Sequence, residues 1–338
     1  EAAVAEDLVA FHRAGEMAIA GEAAAAYDPA QFRAALADHQ KGLLWLNPPH
    51  AFLIMAPIAM LPYGVAKLAW VALGALSMLS IMMIAKLRAP ALFVLALASP
   101  AMLISTLLLQ FGPFIAIGLA AGLTLAPKRP LIAGIVLALL TMKPQYGLMA
   151  PVFFAATGQW RVIISAAIST IVLVAASAAI FGVESWDAFF HSLSSVHTPF
   201  ARQTLEGTVA FSQTAAKFGG GDAARIASQA AGVLMCGAVV WIAARRLVRA
   251  DAIALTLLAS LAAAPSAWIY DWPIAAAGIA FMAARPNWPV PVQIAAALAW
   301  MAPLAPVFAE NGFSRLASPL ALDAFLAAAS VWLLRAKD

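Results

Sequence analysis

The chain has 338 residues, of which 64% are hydrophobic and only 11% are charged, and its mean hydropathy is +0.90. A soluble domain carries roughly 25% charged residues, so this composition excludes an ordinary soluble fold and predicts an all-α, polytopic helical membrane protein. The net charge of +4 calls for no nucleic-acid partner, because membrane proteins collect Lys and Arg on one side of the bilayer, and the lone Cys236 excludes an intrachain disulfide.

The first 50 residues contain an amphipathic stretch. Leu8, Phe11 and Ile19 stand among alanines at spacings that predict a helix with one apolar stripe. Glu6 and Asp7 lie at its start, where acids are typical caps. An aspartate just outside the bilayer is also placed to act as a general base on the hydroxyl of a lipid-borne substrate. Because the chain begins on the outer side with no signal peptide, we expect that a first transmembrane helix is missing from it.

Apolar segments follow at about 11 places, several of them shorter than the roughly 20 residues that a full crossing needs. We expect residues 1–338 to form one integrated membrane domain. The apolar segments lie at 64–85, 90–107, 110–126, 131–142, 146–157, 162–182, 226–244, 251–267, 272–284, 288–306 and 318–334.

The loops between these segments sort by charge. If each segment crosses once, the basic short loops share one side, which the positive-inside rule makes cytoplasmic. The other side receives an outer loop with short helices, residues 1–50, and a second large loop, residues 183–225. The second loop begins with an amphipathic piece suited to the bilayer surface, formed by Trp186, Phe189, Phe190 and Leu193.

The dipeptide Lys143-Pro144 interrupts the apolar run from Leu131 to Thr157. Proline removes a helix hydrogen bond and disfavours helix in the residue before it, so we expect either two short helices that meet in the membrane or one longer kinked pair. A charge at membrane depth indicates a functional site, and a lysine there favours an anion such as phosphate. The alternative is a lysine that snorkels to the interface from a short helix.

Other polar residues have ordinary structural interpretations. Gln110 stands at a helix junction broken by Gly112 and Pro113, and Asp271 precedes Trp272-Pro273 in the manner of an N-cap. Tyr270 is typical of interfacial aromatic residues, and Asp323 lies within a span and is expected to face the bundle interior. The histidines are scattered, so no metal site is expected.

Several segments, in order along the chain, resemble one family. The stretch beginning LWLNPPHAFLIMAPIAMLP resembles the "YPP…aPlalLP" block of glycosyltransferase family 87, in the GT-C superfamily of integral-membrane enzymes. LLLQFGPF is similar to its "GQ-x-G/N" segment, LIAGIVLALLTMKPQ to its "AG…KPQ" segment, DLVAFHRAG to its first outer loop and APSAWIYDWPI to its late "SP…yDy" segment. This chain departs from the pattern at Asn47, Leu109 and Ala264, which stand for the tyrosine of "YPP", the glycine of "GQ" and the serine before Pro265.

The resemblance implies inverting transfer of one sugar, mannose or another hexose, from a polyprenyl-phosphate donor to a lipid- or envelope-linked acceptor hydroxyl. This takes place on the non-cytoplasmic side of a bacterial-type inner membrane. The family's base role falls on Asp7. The residues assigned to the donor phosphate are Lys143, Gln145, Arg13 and Arg202, and those assigned to the substrate pocket are His12, Gln110, Tyr270 and Asp271.

No cofactor or metal is expected, because a phosphate leaving group needs no acid to protonate it and cations stabilise its growing charge. Two other classes stay open on the residues alone. A transporter or flippase of a lipid-linked or anionic substrate would also use Lys143 and broken helices near the midplane. A non-catalytic assembly factor would use Asp7 only as a helix cap.

Overall fold

The computed structural model describes residues 6–197, 208–285, 287–305 and 314–335, and these ranges consist of helices joined by turns and irregular connections. One isolated antiparallel bridge, between Thr208 and Trp268, is the only strand-type pairing within them. The predicted all-α class is therefore confirmed. Arg202 lies outside the described residues.

The α-helices of the described residues are joined by short turns, many of them 3-10 helical. In chain order they are α1 (Asp7–Ile19), α2 (Pro29–Arg33), α3 (Phe52–Ala59), α4 (Tyr63–Ile84), α5 (Pro90–Leu97), α6 (Pro100–Leu107), α7 (Gly112–Leu125), α8 (Pro130–Leu139), α9 (Met149–Ala156), α10 (Trp160–Phe181), α11 (Glu184–Ser192), α12 (Phe211–Lys217), α13 (Asp222–Arg246), α14 (Arg249–Ala262), α15 (Pro273–Ala283), α16 (Val290–Met301) and α17 (Ser314–Arg335).

Five helical stretches of the described residues are long and apolar enough to cross a membrane, and shorter helices overlap the other predicted segments. The chain is thus a helical membrane protein, while the number of crossings stays a prediction. The five stretches are Tyr63–Ile84, Pro90–Leu107, Trp160–Phe181, Asp222–Arg246 and Leu316–Arg335.

One predicted segment, 251–267, is longer than the helix that it matches. The helix α14 ends at Ala262, because Pro265 has no N–H to donate and disfavours helix in the residue before it. The chain then runs in a non-helical connection, where the carbonyl of Ala267 accepts a hydrogen bond from the N–H of Val209 at 2.9 Å.

The chain divides into two compact units, each assembled from separate stretches. The first unit comprises Glu1–Leu73, Thr106–Gln110 and Ile168–Thr204. The second comprises Gly74–Ser105, Phe111–Ala167 and Leu205–Asp338.

In the first unit, α1 packs directly on α3 through a glycine. A Cβ placed on Gly15 would lie 2.3 Å from the carbonyl oxygen of Met55, so the two backbones touch there. Leu8 and Phe11 of the predicted stripe are buried, whereas Ile19 is 54% exposed, because the helix ends at that residue. The predicted helix is therefore confirmed, but its apolar stripe is shorter than expected.

Aromatic side chains fill the rest of the first unit's core. Trp45 stacks on Phe52 with ring centroids 5.0 Å apart, and the hydroxyl of Tyr27 donates to the carbonyl of Asn47 at 2.7 Å. Trp186 of α11 stacks on His50 at 5.8 Å. The predicted surface piece is thus partly internal, since Trp186 and Phe189 pack on this core while Phe190 and Leu193 stay exposed.

The second unit is built around α14, which is buried on every side from Asp251 to Ala262. A helix that is apolar all round is a buried one. It carries one acid, Asp251, whose carboxylate lies 3.0 Å from the guanidinium of Arg285. Asp323 of α17 is only partly buried.

The contact of α1 with α3 predicts the effect of adding a single methyl group. Gly15→Ala is expected to lower the free energy of unfolding by about 1–3 kcal/mol, because the new Cβ overlaps the backbone of Met55. The matched control is Gly64→Ala in α4, where nothing lies within 4 Å and alanine stabilises the helix slightly. Thermal unfolding in detergent compares the two, and equal melting temperatures would contradict the close packing.

Candidate functional site

Asp7 is the first residue of α1 and is held by both its main chain and its side chain. Its N–H donates to the carbonyl of Leu108 at 3.0 Å, and its Oδ2 accepts a hydrogen bond from the side-chain amide of Gln110. Gln110 is itself buried, and its carbonyl accepts from the indole N–H of Trp70 at 3.3 Å. The structure thus brings together Asp7 and Gln110, which were predicted for separate roles.

Leu109 shapes the turn that holds Asp7. Its φ is +51°, in the left-handed region, which costs a non-glycine residue roughly 1–2 kcal/mol. Its side chain is almost fully buried, and burial of a leucine stabilises by about 1.5–3 kcal/mol. The burial therefore offsets the strain of the left-handed conformation. Glycine adopts this conformation freely, and glycine is the usual residue at this place in the "GQ" segment that this stretch resembles.

Glu6 does not cap α1 with its side chain, so the capping interpretation is wrong for this residue. Its carboxylate instead accepts hydrogen bonds from the ammonium of Lys67 and, at 2.7 Å, from the hydroxyl of Tyr63. Burial raises the pKa of Glu6, but the hydrogen bonds from Lys67 and Tyr63 and the charge of Lys67 lower it, and the pKa lies below its usual value. These two hydrogen bonds of Glu6 connect the start of α1 to α4.

His12 and Arg13 follow on the same helix, and both lie beside Glu16. The Nδ1 of His12 is 3.1 Å from the carboxylate of Glu16, and its Nε2 is 3.0 Å from the carbonyl oxygen of Leu61. The guanidinium of Arg13 is 3.7 Å from Glu16. Their predicted contacts with substrate and donor phosphate stay predictions.

In the second unit, the chain around Lys143 forms two short helices rather than one kinked pair. The first, α8, ends at Leu139 and is followed by 3-10 turns at Leu140–Met142 and Pro144–Gly147. Lys143 itself has φ −130° and ψ 71°, outside the helical region, as a residue before proline tends to be. The second helix starts at Met149, three residues later than predicted, because the turn after Pro144 comes first.

The side chain of Lys143 is largely buried, and its ammonium faces an acid. The Nζ lies 3.6 Å from Oδ1 of Asp271, with 12% of the lysine side chain and 0% of the aspartate exposed. It also lies 5.4 Å from the ring centroids of both Phe111 and Tyr270. A lysine snorkelling to the interface does not describe this geometry.

The sequence context of Asp271 suggested the N-cap of α15, but the structure shows that Asp271 is instead a buried partner of Lys143. It closes the 3-10 turn Ile269–Asp271, and Trp272 takes the N-cap position. Its Oδ2 accepts hydrogen bonds from the hydroxyl of Tyr146 and, at 3.3 Å, from the N–H of Trp268. A buried carboxylate is stable only with such partners, so the lysine and the donors account for its position.

The sequence interpretation missed Tyr146, which it placed at the start of an apolar segment. Its side chain is fully buried, and its hydroxyl also lies 3.2 Å from the carbonyl oxygen of Ser266. Gln145 reaches the same carbonyl at 3.5 Å. A tyrosine in an apolar run was a usable signal, because a buried hydroxyl needs a partner. The second unit thus brings together Lys143, Gln145 and Tyr270 with Asp271.

Among the described residues, no group of three or more His, Cys, Asp or Glu side chains is placed to hold a metal ion.

The comparisons with known proteins give one match. The model of glycosyltransferase family 87 matches residues 45–269, which is more than half of the chain and includes Gln110 and Lys143. Asp7 precedes the matched range, and Asp271 follows it. No curated protein and no solved structure matches the chain.

The Glu6 contacts predict a pH-dependent stability. Because the folded pKa of Glu6 is lowered, its carboxylate stabilises the fold above the unfolded pKa of about 4.3, and this contribution is lost as the pH falls through the folded pKa. Glu6→Gln is expected to cost under about 1 kcal/mol at neutral pH. Its melting temperature should converge with that of the unchanged protein in acid. The exposed Glu22→Gln serves as control, and a gap that stays constant in acid would refute the assignment.

The buried ion pair predicts that a single substitution destabilises the protein more than substitution of both partners does. Lys143→Met is expected to cost about 3–5 kcal/mol of unfolding free energy, because it leaves the buried carboxyl group of Asp271 without its cation. The double variant Lys143→Met with Asp271→Asn should recover most of that loss, since the asparagine still accepts from Tyr146. Unfolding of both in detergent measures the difference, and a double variant as unstable as the single one contradicts the pairing.

Proposed function

Because the chain belongs to glycosyltransferase family 87, we propose that it transfers one hexose, mannose or a close relative, from a polyprenyl-phosphate donor to an acceptor hydroxyl. Glycosyl transfer by a membrane protein follows from the family and the apolar helices. The donor, the sugar, and a lipid- or envelope-linked acceptor on the non-cytoplasmic face of an inner membrane are the proposal. Family membership also favours a transferase over the transporter that the residues alone left open.

The proposed reaction is a single inverting displacement. The acceptor oxygen attacks the anomeric carbon while the bond from that carbon to the phosphate oxygen breaks. The electron pair of the breaking bond stays on the phosphate, and the acceptor proton passes to Asp7. No step needs a metal or another cofactor, because a phosphate is a leaving group that departs without protonation.

The contacts of Asp7 support its role as general base. A base must reach the proton that it removes in a fixed orientation. The hydrogen bond from Gln110 to Oδ2 and the main-chain bond to Leu108 fix both the plane of the carboxylate and the start of α1. We assign Gln110 to orienting Asp7 and His12, one turn further on, to the acceptor side.

The anchored ammonium of Lys143 is the observation that carries the donor assignment. Negative charge grows on the phosphate as the glycosidic bond breaks, and a cation held in place beforehand stabilises that charge. The lysine lies in the matched range, and its ammonium lies beside Asp271 and within cation–π distance of two aromatic rings. Gln145 neighbours it in sequence, and Arg13 and Arg202 are proposed as further phosphate ligands.

The base assignment predicts a loss of turnover without a loss of donor binding. In Asp7→Asn the amide cannot take the acceptor proton, so turnover should fall by roughly 10²–10⁴. The measurement follows release of polyprenyl phosphate from polyprenyl-phosphate-mannose by protein in liposomes, with membrane lipid extract as acceptor and glucose and arabinose donors alongside.

The matched control for this experiment is Asp28→Asn. Asp28 caps α2 in the same unit through exposed hydrogen bonds, and asparagine caps as well as aspartate does. Its turnover should match that of the unchanged protein. Turnover that persists in Asp7→Asn would contradict the assignment of Asp7 as the base. If the unchanged protein releases polyprenyl phosphate from none of the donors, the proposed donor class is wrong.

A further inference from the structure

We propose that Asp271 is a positioning residue that balances the charge of Lys143, so that the phosphate product of the reaction can leave. The inference rests on the proposed function, in which Lys143 holds the donor phosphate. It assigns to Asp271 a role in product release.

The carboxylate of Asp271 is a fixed charge. It has no exposure to solvent, and the hydroxyl of Tyr146 and the N–H of Trp268 hold its Oδ2. The other oxygen, Oδ1, faces Lys143 at 3.6 Å. A charge-assisted hydrogen bond between such groups is usually roughly 2.7–2.9 Å long, so this pair is loose. The lysine can therefore turn toward a phosphate without leaving its acid.

The ammonium of Lys143 does not depend on Asp271 alone for its position. The rings of Phe111 and Tyr270 each lie within cation–π distance of it. Tyr270 is in turn stacked on Trp268, with centroids 5.8 Å apart and the planes nearly parallel. Removal of the carboxylate charge should thus change the electrostatics at Lys143 while the rings still keep the ammonium in place.

The charge of the lipid phosphate changes during the proposed reaction. The donor is a phosphate diester with one negative charge, whereas the product is a monoester, which carries about −1.5 to −2 at neutral pH. An unopposed ammonium in a buried site would attract the product more strongly than the donor. Asp271 neutralises the lysine and repels the extra charge of the product, so the pair does not trap the phosphate after transfer.

Product inhibition tests this role directly. Asp271→Asn is expected to bind decaprenyl phosphate at least about tenfold more tightly, the equivalent of about 1.4 kcal/mol. Steady-state turnover should slow as product release becomes limiting, whereas a single round of transfer in the presence of excess enzyme persists. A carboxylate with a purely structural role would give weaker binding and weaker transfer together.

The matched control is Asp251→Asn. Asp251 is also a buried aspartate of the second unit paired with a cation, at 3.0 Å from Arg285. Loss of its charge should leave the affinity for decaprenyl phosphate unchanged. An equal gain in affinity in Asp251→Asn would overturn the proposal, because the effect would then come from net charge and not from the Lys143 pair.

A second measurement compares two ligands of different charge. Asp271→Asn is expected to raise the preference for decaprenyl phosphate over its methyl ester at least about tenfold above that of the unchanged protein, because only the variant leaves Lys143 without an opposing charge. An equal preference in the two proteins overturns the proposal. So does a folded Asp271→Asn variant with unchanged or weaker affinity for decaprenyl phosphate.

Failure of the underlying function gives a different result. If the folded double variant Lys143→Met with Asp271→Asn binds decaprenyl phosphate as the unchanged protein does, Lys143 is not the phosphate ligand and the donor assignment itself is wrong. If the double variant loses binding while Asp271→Asn alone shows no gain, the donor assignment stands and only the role of Asp271 is lost.

Discussion

The ion pair of Lys143 with Asp271 is the constraint on which the irregular backbone of the second unit depends, at Lys143-Pro144 and after Ala262. A buried charge is costly unless a partner of opposite sign and hydrogen-bond donors surround it. The chain supplies these by breaking the helix at Pro144 and by turning sharply after Ala262, which places Tyr146, Trp268 and Asp271 at one point. Both interruptions of regular helix in this region thus serve the same pair.

The class of fold and the interruption of helix at Lys143-Pro144 could be predicted from sequence, because both follow from local composition. A long apolar run predicts a membrane helix, and a charged residue next to proline predicts an interruption of that helix. The partner of the lysine could not be predicted. Asp271 stands directly before Trp-Pro, a pattern that also describes a cap, and its hydrogen-bond donor Tyr146 is 125 residues away in the chain.

The same limit applies to the first unit. The helix beginning at Asp7 follows from its apolar spacing, but its contact with Gln110 joins residues 103 positions apart. The packing of α1 on α3 depends in the same way on a contact between distant residues, the close approach of Gly15 to the backbone of Met55.

The left-handed turn at Leu109 has a consequence for which amino acids that position can accept. Its neighbours on both sides contact Asp7, one through a carbonyl and the other through an amide side chain. A helical or extended residue at 109 would turn those two groups away from each other. Branching at Cβ is therefore disfavoured there even for side chains of suitable size, so the backbone angle limits which residues this position accepts in addition to the burial of its side chain.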